Sequence, residues 1–119
     1  MPRNFYWRKN KYNARPKEYG GRLYASTQEA NDALWLDLLK SQGKIKEIEP
    51  QHRLFLTVNG KRITTHIVDF LITLPDGRQK FCETKGFATE LFRIKYKLCQ
   101  ALYPDIPYLI NPTDQELLR

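Results

Sequence analysis

Residues 65–86 read THIVDFLITLPDGRQKFCETKG, and this stretch decides the fold. An acidic residue, Asp69, sits inside the apolar run Ile67-Val68-Asp69-Phe70-Leu71-Ile72. A turn follows at Leu74-Pro75-Asp76-Gly77-Arg78, and a second strand ends in Glu83-Thr84-Lys85-Gly86. Pro75 presets φ at the second turn position, and Gly77 takes φ > 0 without a Cβ penalty. That combination predicts a type I turn closed by a left-handed glycine, the three-residue hairpin loop. The loop pairs Leu74 with Arg78, and the register carried back along both strands sets Asp69 opposite Glu83. Opposed residues share a face, with Cβ atoms roughly 4.5–5.5 Å apart. Lys85, two residues past Glu83, points to the same face. Two carboxylates and a lysine converge on one patch.

Opposed carboxylates repel, and a half-buried charge is costly unless it is compensated. Two arrangements would compensate. In the plainer one, Asp69 and Glu83 are ion-pair partners of Lys85 or a nearby arginine. In the other, they hold a divalent cation, and hard oxygen ligands favour Mg2+ or Mn2+. The apolar flanks of Asp69 and the register favour the metal site.

Asp69, a short hairpin and then Glu83-Thr84-Lys85 resembles the PD-(D/E)XK nuclease superfamily. Thirteen residues separate the two acids, a spacing that superfamily accommodates, and Val68 stands where its name-giving proline would be. Residues 22–86, with Leu23-Tyr24-Ala25-Ser26 and Glu29-Ala30 at the front and a lysine-rich helix behind, are similar to small phage-encoded endonucleases of this superfamily. Some of those relatives resolve branched DNA such as Holliday junctions. The resemblance spans residues 20–111. It implies an α/β, restriction-endonuclease-like core: a helix, antiparallel strands, a second helix and a parallel strand around a central mixed sheet. It also implies a Mg2+- or Mn2+-dependent DNA endonuclease working in the cytoplasm, that of the host if the chain is phage-encoded. By the same analogy Asp69 and Glu83 are metal ligands, the Thr84 carbonyl is a further ligand, and Lys85 is catalytic. An acidic residue near the start of the first helix, here Glu29, often reaches the metal in such enzymes.

At 119 residues the chain is one domain, large enough for a single core. Hydrophobic content of 41% and aromatic content of 13% exclude a disordered chain. No apolar run approaches the roughly 20 residues of a membrane span, and the basic N-terminus has no apolar signal region. Cys82 and Cys99 read as reduced thiols in a cytosol-like compartment, and without CxxC or His-rich spacing they suggest no zinc site.

The net charge of +7 is unevenly spread. Arg3, Arg8, Lys9, Lys11, Arg15, Lys17 and Arg22 face only Glu18 in residues 1–24, which leaves 13 basic and 12 acidic residues for the rest. Residues 1–21 show no period, and Phe5, Tyr6, Trp7, Tyr12 and Tyr19 alternate with the charges. They read as a basic aromatic arm for DNA, the cations meeting phosphates and the rings stacking on bases. The alternative is a tail that docks its aromatics on the domain at 22–111. Residues 112–119 read as a polar tail.

Ser26 and Glu29 form a capping-box pattern that opens a helix, and Gly43 ends it. Two readings of Glu29 stand side by side. Its carboxylate either closes the capping box or turns inward with Ala33 and Leu36 toward the metal site. Residues 45–49 and 53–58 read as separate strands around Pro50. Asn59-Gly60 predicts a tight hairpin that pairs His52 with Ile67, which puts His52 on the Asp69 face as a strand-end residue or a proton carrier. His66 has the opposite parity and reads as structural. Thr89 caps a helix from Glu90 to about Tyr103, with a core stripe of Leu91, Ile94, Leu98 and Leu102. Arg93 and Lys97 lie on its far face, open to DNA. Lys95 falls amid the stripe, so it either snorkels or reaches the site or a phosphate. Residues 108–110 read as a last strand, parallel to a neighbour because a helix precedes it. The leading function is a metal-dependent DNA endonuclease, and symmetric cutting of two strands would call for a homodimer. The rivals are an RNA-directed nuclease and a non-enzymatic nucleic-acid-binding or phage interaction module on the same fold.

Overall fold

The computed structural model describes residues 17–24 and 26–119. In chain order the elements are β1 (Lys17–Tyr19), β2 (Arg22–Tyr24), α1 (Thr27–Ser41), β3 (Glu47–Val58), β4 (Lys61–Thr73), β5 (Gln79–Glu83), α2 (Glu90–Leu102), β6 (Tyr108–Ile110) and α3 (Asp114–Leu118). The main sheet runs β3-β4-β5-β6. Its first three strands are antiparallel, and β6 lies parallel to β5, as a helical crossover requires. This is a single α/β domain with a mixed four-stranded sheet.

The 74–78 turn sets the register of β4 and β5. Leu74 N–H donates to the Arg78 carbonyl at 2.7 Å, Gly77 N–H donates to the Leu74 carbonyl at 2.9 Å, and Gly77 has φ +94°. Phe70 lies opposite Cys82 and Thr73 opposite Gln79, the register expected from the loop.

β3 is one strand rather than two. Pro50 sits within it, which an edge strand tolerates because one row of its backbone groups needs no partner. A bulge between Leu56 and Thr57 shifts the 59–60 hairpin register by one, so His52 pairs with Val68 instead of Ile67. His52 leaves the position expected for it. Its Nδ1 meets Glu49 Oε2 at 2.8 Å, and its ring stacks on Phe81.

Each face of the sheet carries a core. On one, Ala30, Ala33, Leu36 and Leu39 of α1 meet Phe70, Ile72, Leu74 and Cys82. On the other, Phe92 and Cys99 of α2 meet Leu54, Leu56, Val68, Phe81 and Tyr108. On α2, Phe92 and Cys99 are buried, and Tyr96, Leu98 and Leu102 pack half-buried against the same core; Leu91 and Ile94, also expected inside, are 62% and 58% exposed. Both stripes are apolar. In the first half of the helix the aromatic one wins because Tyr108 offers its rings a partner, with Tyr96 edge-on at 4.9 Å.

Two segments outside the expected core are built into it. Gly20 and Gly21, at φ +60° and +79°, turn β1 into β2. The hairpin docks through Tyr24, which is buried, and through Tyr19, whose hydroxyl donates to Asp37 Oδ2 at 2.6 Å. So the last residues of the expected arm, 17–21, belong to the folded domain. The expected polar tail is also corrected. Thr113 and Glu116 form a capping box that opens α3. Leu117 is fully buried, and the buried Lys80 donates to the Glu116 carbonyl at 3.0 Å. Leu117→Ala should cost about 2–5 kcal/mol, read as a lower midpoint in thermal melts. Leu34→Ala, at an exposed site on α1, should move the midpoint little. A Leu117→Ala melt matching the wild type would show that α3 does not hold the domain together.

Candidate active site

The site forms where the sheet changes face. Side chains alternate along a strand, so even-numbered residues of β3 and β4 should share one face. They do not. Ile48, Phe70, Ile72 and Leu74 lie with the α1 core, and Leu54, Leu56 and Val68 lie with the α2 core. The pairs Pro50–Phe70 and His52–Val68 keep the same register, so neither strand gains a residue. The crossing falls at Gln51 and Asp69. Gln51 takes φ +52°, in the left-handed region that is costly for a residue with a Cβ. Backbone distortions of this kind cluster at functional sites.

Asp69 and Glu83 meet at this break. Thr84 N–H donates to Asp69 Oδ2 at 2.8 Å, and Asp69 N–H approaches Glu83 Oε1 at 3.4 Å. The Tyr108 hydroxyl donates to the same Glu83 oxygen at 3.0 Å. That oxygen is thus pinned, and Glu83 Oε2 lies 3.9 Å from Lys85 Nζ. Lys85 is held twice: its ammonium sits 4.3 Å from the Phe92 ring centroid, and Asn111 grips its backbone. Asn111 Oδ1 accepts from Lys85 N–H at 3.0 Å, and Nδ2 donates to the Lys85 carbonyl at 2.8 Å. Beside Lys85 opens a cavity of about 380 Å³ bounded by Gln28, Asp32, Trp35, Thr84 and Asn111.

Glu29 resolves into the inward position. Ser26 Oγ accepts from Glu29 N–H at 3.1 Å, so the N-cap forms. The Glu29 side chain is buried with Ala33 and Leu36, and it hydrogen-bonds Gln51. Burial and the nearby Asp69 push its carboxyl up to about 8. Burial raises Asp69 and Glu83 as well. The Thr84 amide and Lys85 oppose the rise at Asp69; Asp69 adds to it at Glu83, where Lys85 opposes it.

Four contributors were not anticipated. Asp32 accepts the Thr84 hydroxyl and adds negative charge beside Asp69; its place one helical turn after Glu29 was the available signal. Tyr108 orients Glu83. His66, read as structural from parity, changes sides with the strand and meets the Tyr108 oxygen through Nε2 at 2.8 Å. Because Tyr108 gives its proton to Glu83, Nε2 of His66 must be the donor. Burial and the Lys95 and Lys85 charges lower His66 to about 4, so it is neutral near pH 7. Asn111, just before Pro112, is the fourth. Of the residues expected at DNA, Arg93 and Lys97 are exposed, while Lys95 donates to the Thr65 carbonyl at 3.0 Å. Lys17 lies in β1, and Arg3, Arg8, Lys9, Lys11 and Arg15 fall outside the described residues.

The oxygen donors at the break are carboxylates, with Lys85 as the neighbouring cation. Burial raises the carboxyls, and a divalent cation beside them would favour their charged forms. Among the described residues no group of three or more His, Cys, Asp or Glu side chains is arranged as a ready metal cage. The donor set fits Mg2+, which keeps several waters and takes one or two carboxylates. Both cysteines are buried, and burial raises Cys82 to about 12 and Cys99 to about 11, so neither is a ready thiolate ligand.

The Glu29 shift carries a pH prediction. Its folded value lies above the ordinary 4.5. The folded state therefore holds a proton that the unfolded state releases between about 4.5 and about 8. The cost of charging Glu29 is absent below that window and complete above it. In EDTA, Glu29→Gln should raise the melting midpoint by several degrees at the alkaline end and little at pH 5. An equal shift at both ends would place Glu29 outside the carboxylate cluster.

Among the described residues no helix is long and apolar enough to cross a membrane. A family model described as "Protein of unknown function (DUF1064)" matches residues 9–111. No curated protein and no solved structure matches the chain.

Proposed function

Since the chain belongs to the DUF1064 family, whose description names no activity, we propose from its site that it is a metal-dependent endonuclease that hydrolyses phosphodiester bonds in DNA. The observation that carries this reading is the meeting of Asp69, Glu83 and Glu29 beside Lys85 at the break in the sheet. The PD-(D/E)XK-like order of helix, antiparallel strands, helix and parallel strand supports it. The basic N-terminal sequence supports a polyanionic partner.

Asp69 and Glu83 would hold Mg2+ or Mn2+, with the Thr84 carbonyl as a further ligand and Glu29 beside them. The bound ion supplies Lewis-acid polarisation of the phosphate and a more acidic water. Tyr108 holds one Glu83 oxygen so that the other stays turned toward Lys85. Asn111 keeps the Lys85 backbone from swinging. The Lys85 ammonium stabilises charge as it builds on the phosphoryl oxygens.

The test is incubation with linear, nicked and branched DNA, and with RNA, in Mg2+ or in EDTA. Metal-dependent cutting of DNA supports the reading. Tight binding of DNA without cutting of any form would make this a nucleic-acid-binding module, and cutting of RNA alone would replace the substrate.

A further inference from the structure

Beyond the break at Gln51 and Asp69, one face of the sheet is bare among the described residues. Among the described residues the α1 core draws on Ile48, Phe70 and Ile72 from the near half of β3 and β4, with Leu74 just past β4, and on nothing from their far half. On the opposite face Leu54 and Leu56 are buried under α2. Arg53 and Phe55 alternate with them and are exposed. Their partners across the ribbon are Ile67, which is exposed, and Thr65. Arg62 joins the same face, with its guanidinium 4.3 Å from the Phe55 ring centroid. Residues 57–63 are all exposed, so the ribbon ends in an uncovered tip that includes Val58 and Ile63.

The charge on this ribbon has one sign. Residues 51–68 contain Arg53, Lys61 and Arg62 and no acidic residue. Phe55 is 48% exposed and Ile67 46%. The exposed Phe55 and Ile67 lie between Arg53 and Arg62, an arrangement of apolar surface and positive charge that suits a polyanion. Arg53 is two residues from Gln51, about 7 Å along the strand, and the Arg62–Thr57 pair lies about 20 Å away. The face thus starts at the carboxylate cluster and runs outward for the length of about six base pairs of DNA.

We propose that this face of β3 and β4 is a DNA-binding platform that carries the substrate strand away from the site. It rests on the nuclease reading for its choice of DNA. Arg53 and Arg62 take phosphates, which fix position rather than sequence. Phe55 and Ile67 take sugars or unpaired bases, with Phe55 as the stacking surface. The Arg62–Phe55 contact holds both side chains in place before DNA arrives.

The experiment is equilibrium binding of a fluorescein-labelled duplex and of its single strand, in EDTA, across a salt series. Arg53→Ala with Arg62→Ala should weaken duplex binding at least about tenfold. The slope of log K against log salt should flatten by about 1.8, at about 0.9 per phosphate contact. Lys44→Ala with Lys46→Ala removes the same charge at the other end of β3 and should leave the slope unchanged. Phe55→Ala should weaken the single strand about tenfold and more than the duplex. Equal flattening by both double variants would reduce the face to bulk charge and overturn the proposal. An unchanged slope in Arg53→Ala with Arg62→Ala would overturn it too. So would a wild-type dimer in sedimentation that Phe55→Ser with Ile67→Ser dissociates. None of these readouts needs cleavage. A protein that cuts nothing yet shows the expected slopes keeps the platform and loses the nuclease reading; normal cleavage with unchanged slopes does the reverse.

Discussion

Lys85→Ala should slow DNA cleavage about 100-fold or more, the scale of losing a donor aimed at transition-state charge. The ammonium lies 3.9 Å from Glu83 Oε2 and shares the α2 side of the sheet with it. It donates nothing to a metal. Metal affinity should therefore hold or rise, because a neighbouring positive charge is gone. DNA affinity should fall by no more than one phosphate-type contact. Lys85→Arg should not rescue fully, since a planar guanidinium cannot occupy the position of a compact ammonium. Single-turnover rates at saturating enzyme, beside calorimetric metal titrations, separate these quantities. A Lys85→Ala variant cutting at the wild-type rate would remove Lys85 from the mechanism and leave the fold reading intact.

Asp69→Ala and Glu83→Ala should each abolish both metal binding and cleavage. Losing an outer-shell partner of a metal typically costs about 10–100-fold in affinity or activity, and a direct ligand should cost more. The two variants should part in the absence of metal. Asp69→Ala removes the acceptor of the Thr84 N–H and leaves that amide unpaired, which opposes any gain from deleting a buried charge. Glu83→Ala strands the Tyr108 hydroxyl, itself tied to His66. The isosteric pair Asp69→Asn and Glu83→Gln keeps volume and removes charge, so in EDTA both should melt higher than the alanine variants. Calorimetry with Mg2+ and Mn2+ checks the first claim and thermal melts the second. Unchanged metal affinity in both alanine variants would eliminate the site.

What the sequence made legible follows from where the chain has little freedom. Pro75 and Gly77 leave the 74–78 loop essentially one geometry, so the β4–β5 register, and with it the meeting of Asp69 and Glu83, could be read from residues alone. The Asn59-Gly60 loop was equally clear at its tip. Its register still slipped at the Leu56–Thr57 bulge, which carries no residue signature, and His52 moved with it. The change of face at Gln51 and Asp69 was illegible for a deeper reason. Nothing in a glutamine announces a left-handed φ, and the distortion is held by tertiary packing on both sides. His66 reached Tyr108 by that same change.

On α2, two apolar stripes competed, and only the position of Tyr108 across the sheet decided between them. The two remaining misses were readable. Gly20-Gly21 is a hairpin signal, and Thr113 with Glu116 ahead of Leu117-Leu118 is a capping box on an apolar turn. Both had been overshadowed by the charge of the termini. The carboxylate cluster shows the same division. Asp69, Glu83 and Lys85 came from register, and Glu29 from the family resemblance, with helical spacing leaving its inward position open beside the capping box, whereas Asp32, Tyr108 and Asn111 required the assembled fold.

The central claim, that this site hydrolyses DNA with a metal, is tested most directly by a metal-started single turnover. Protein stripped with EDTA is bound in excess to end-labelled linear, nicked or branched DNA, and excess Mg2+ or Mn2+ is added to start the reaction. At least one DNA form should be cut after metal is added and stay intact before it, with no product from Asp69→Ala under the same conditions. Intact DNA in every form with either metal, from protein that demonstrably holds the DNA, would contradict the account; so would equal cutting by Asp69→Ala.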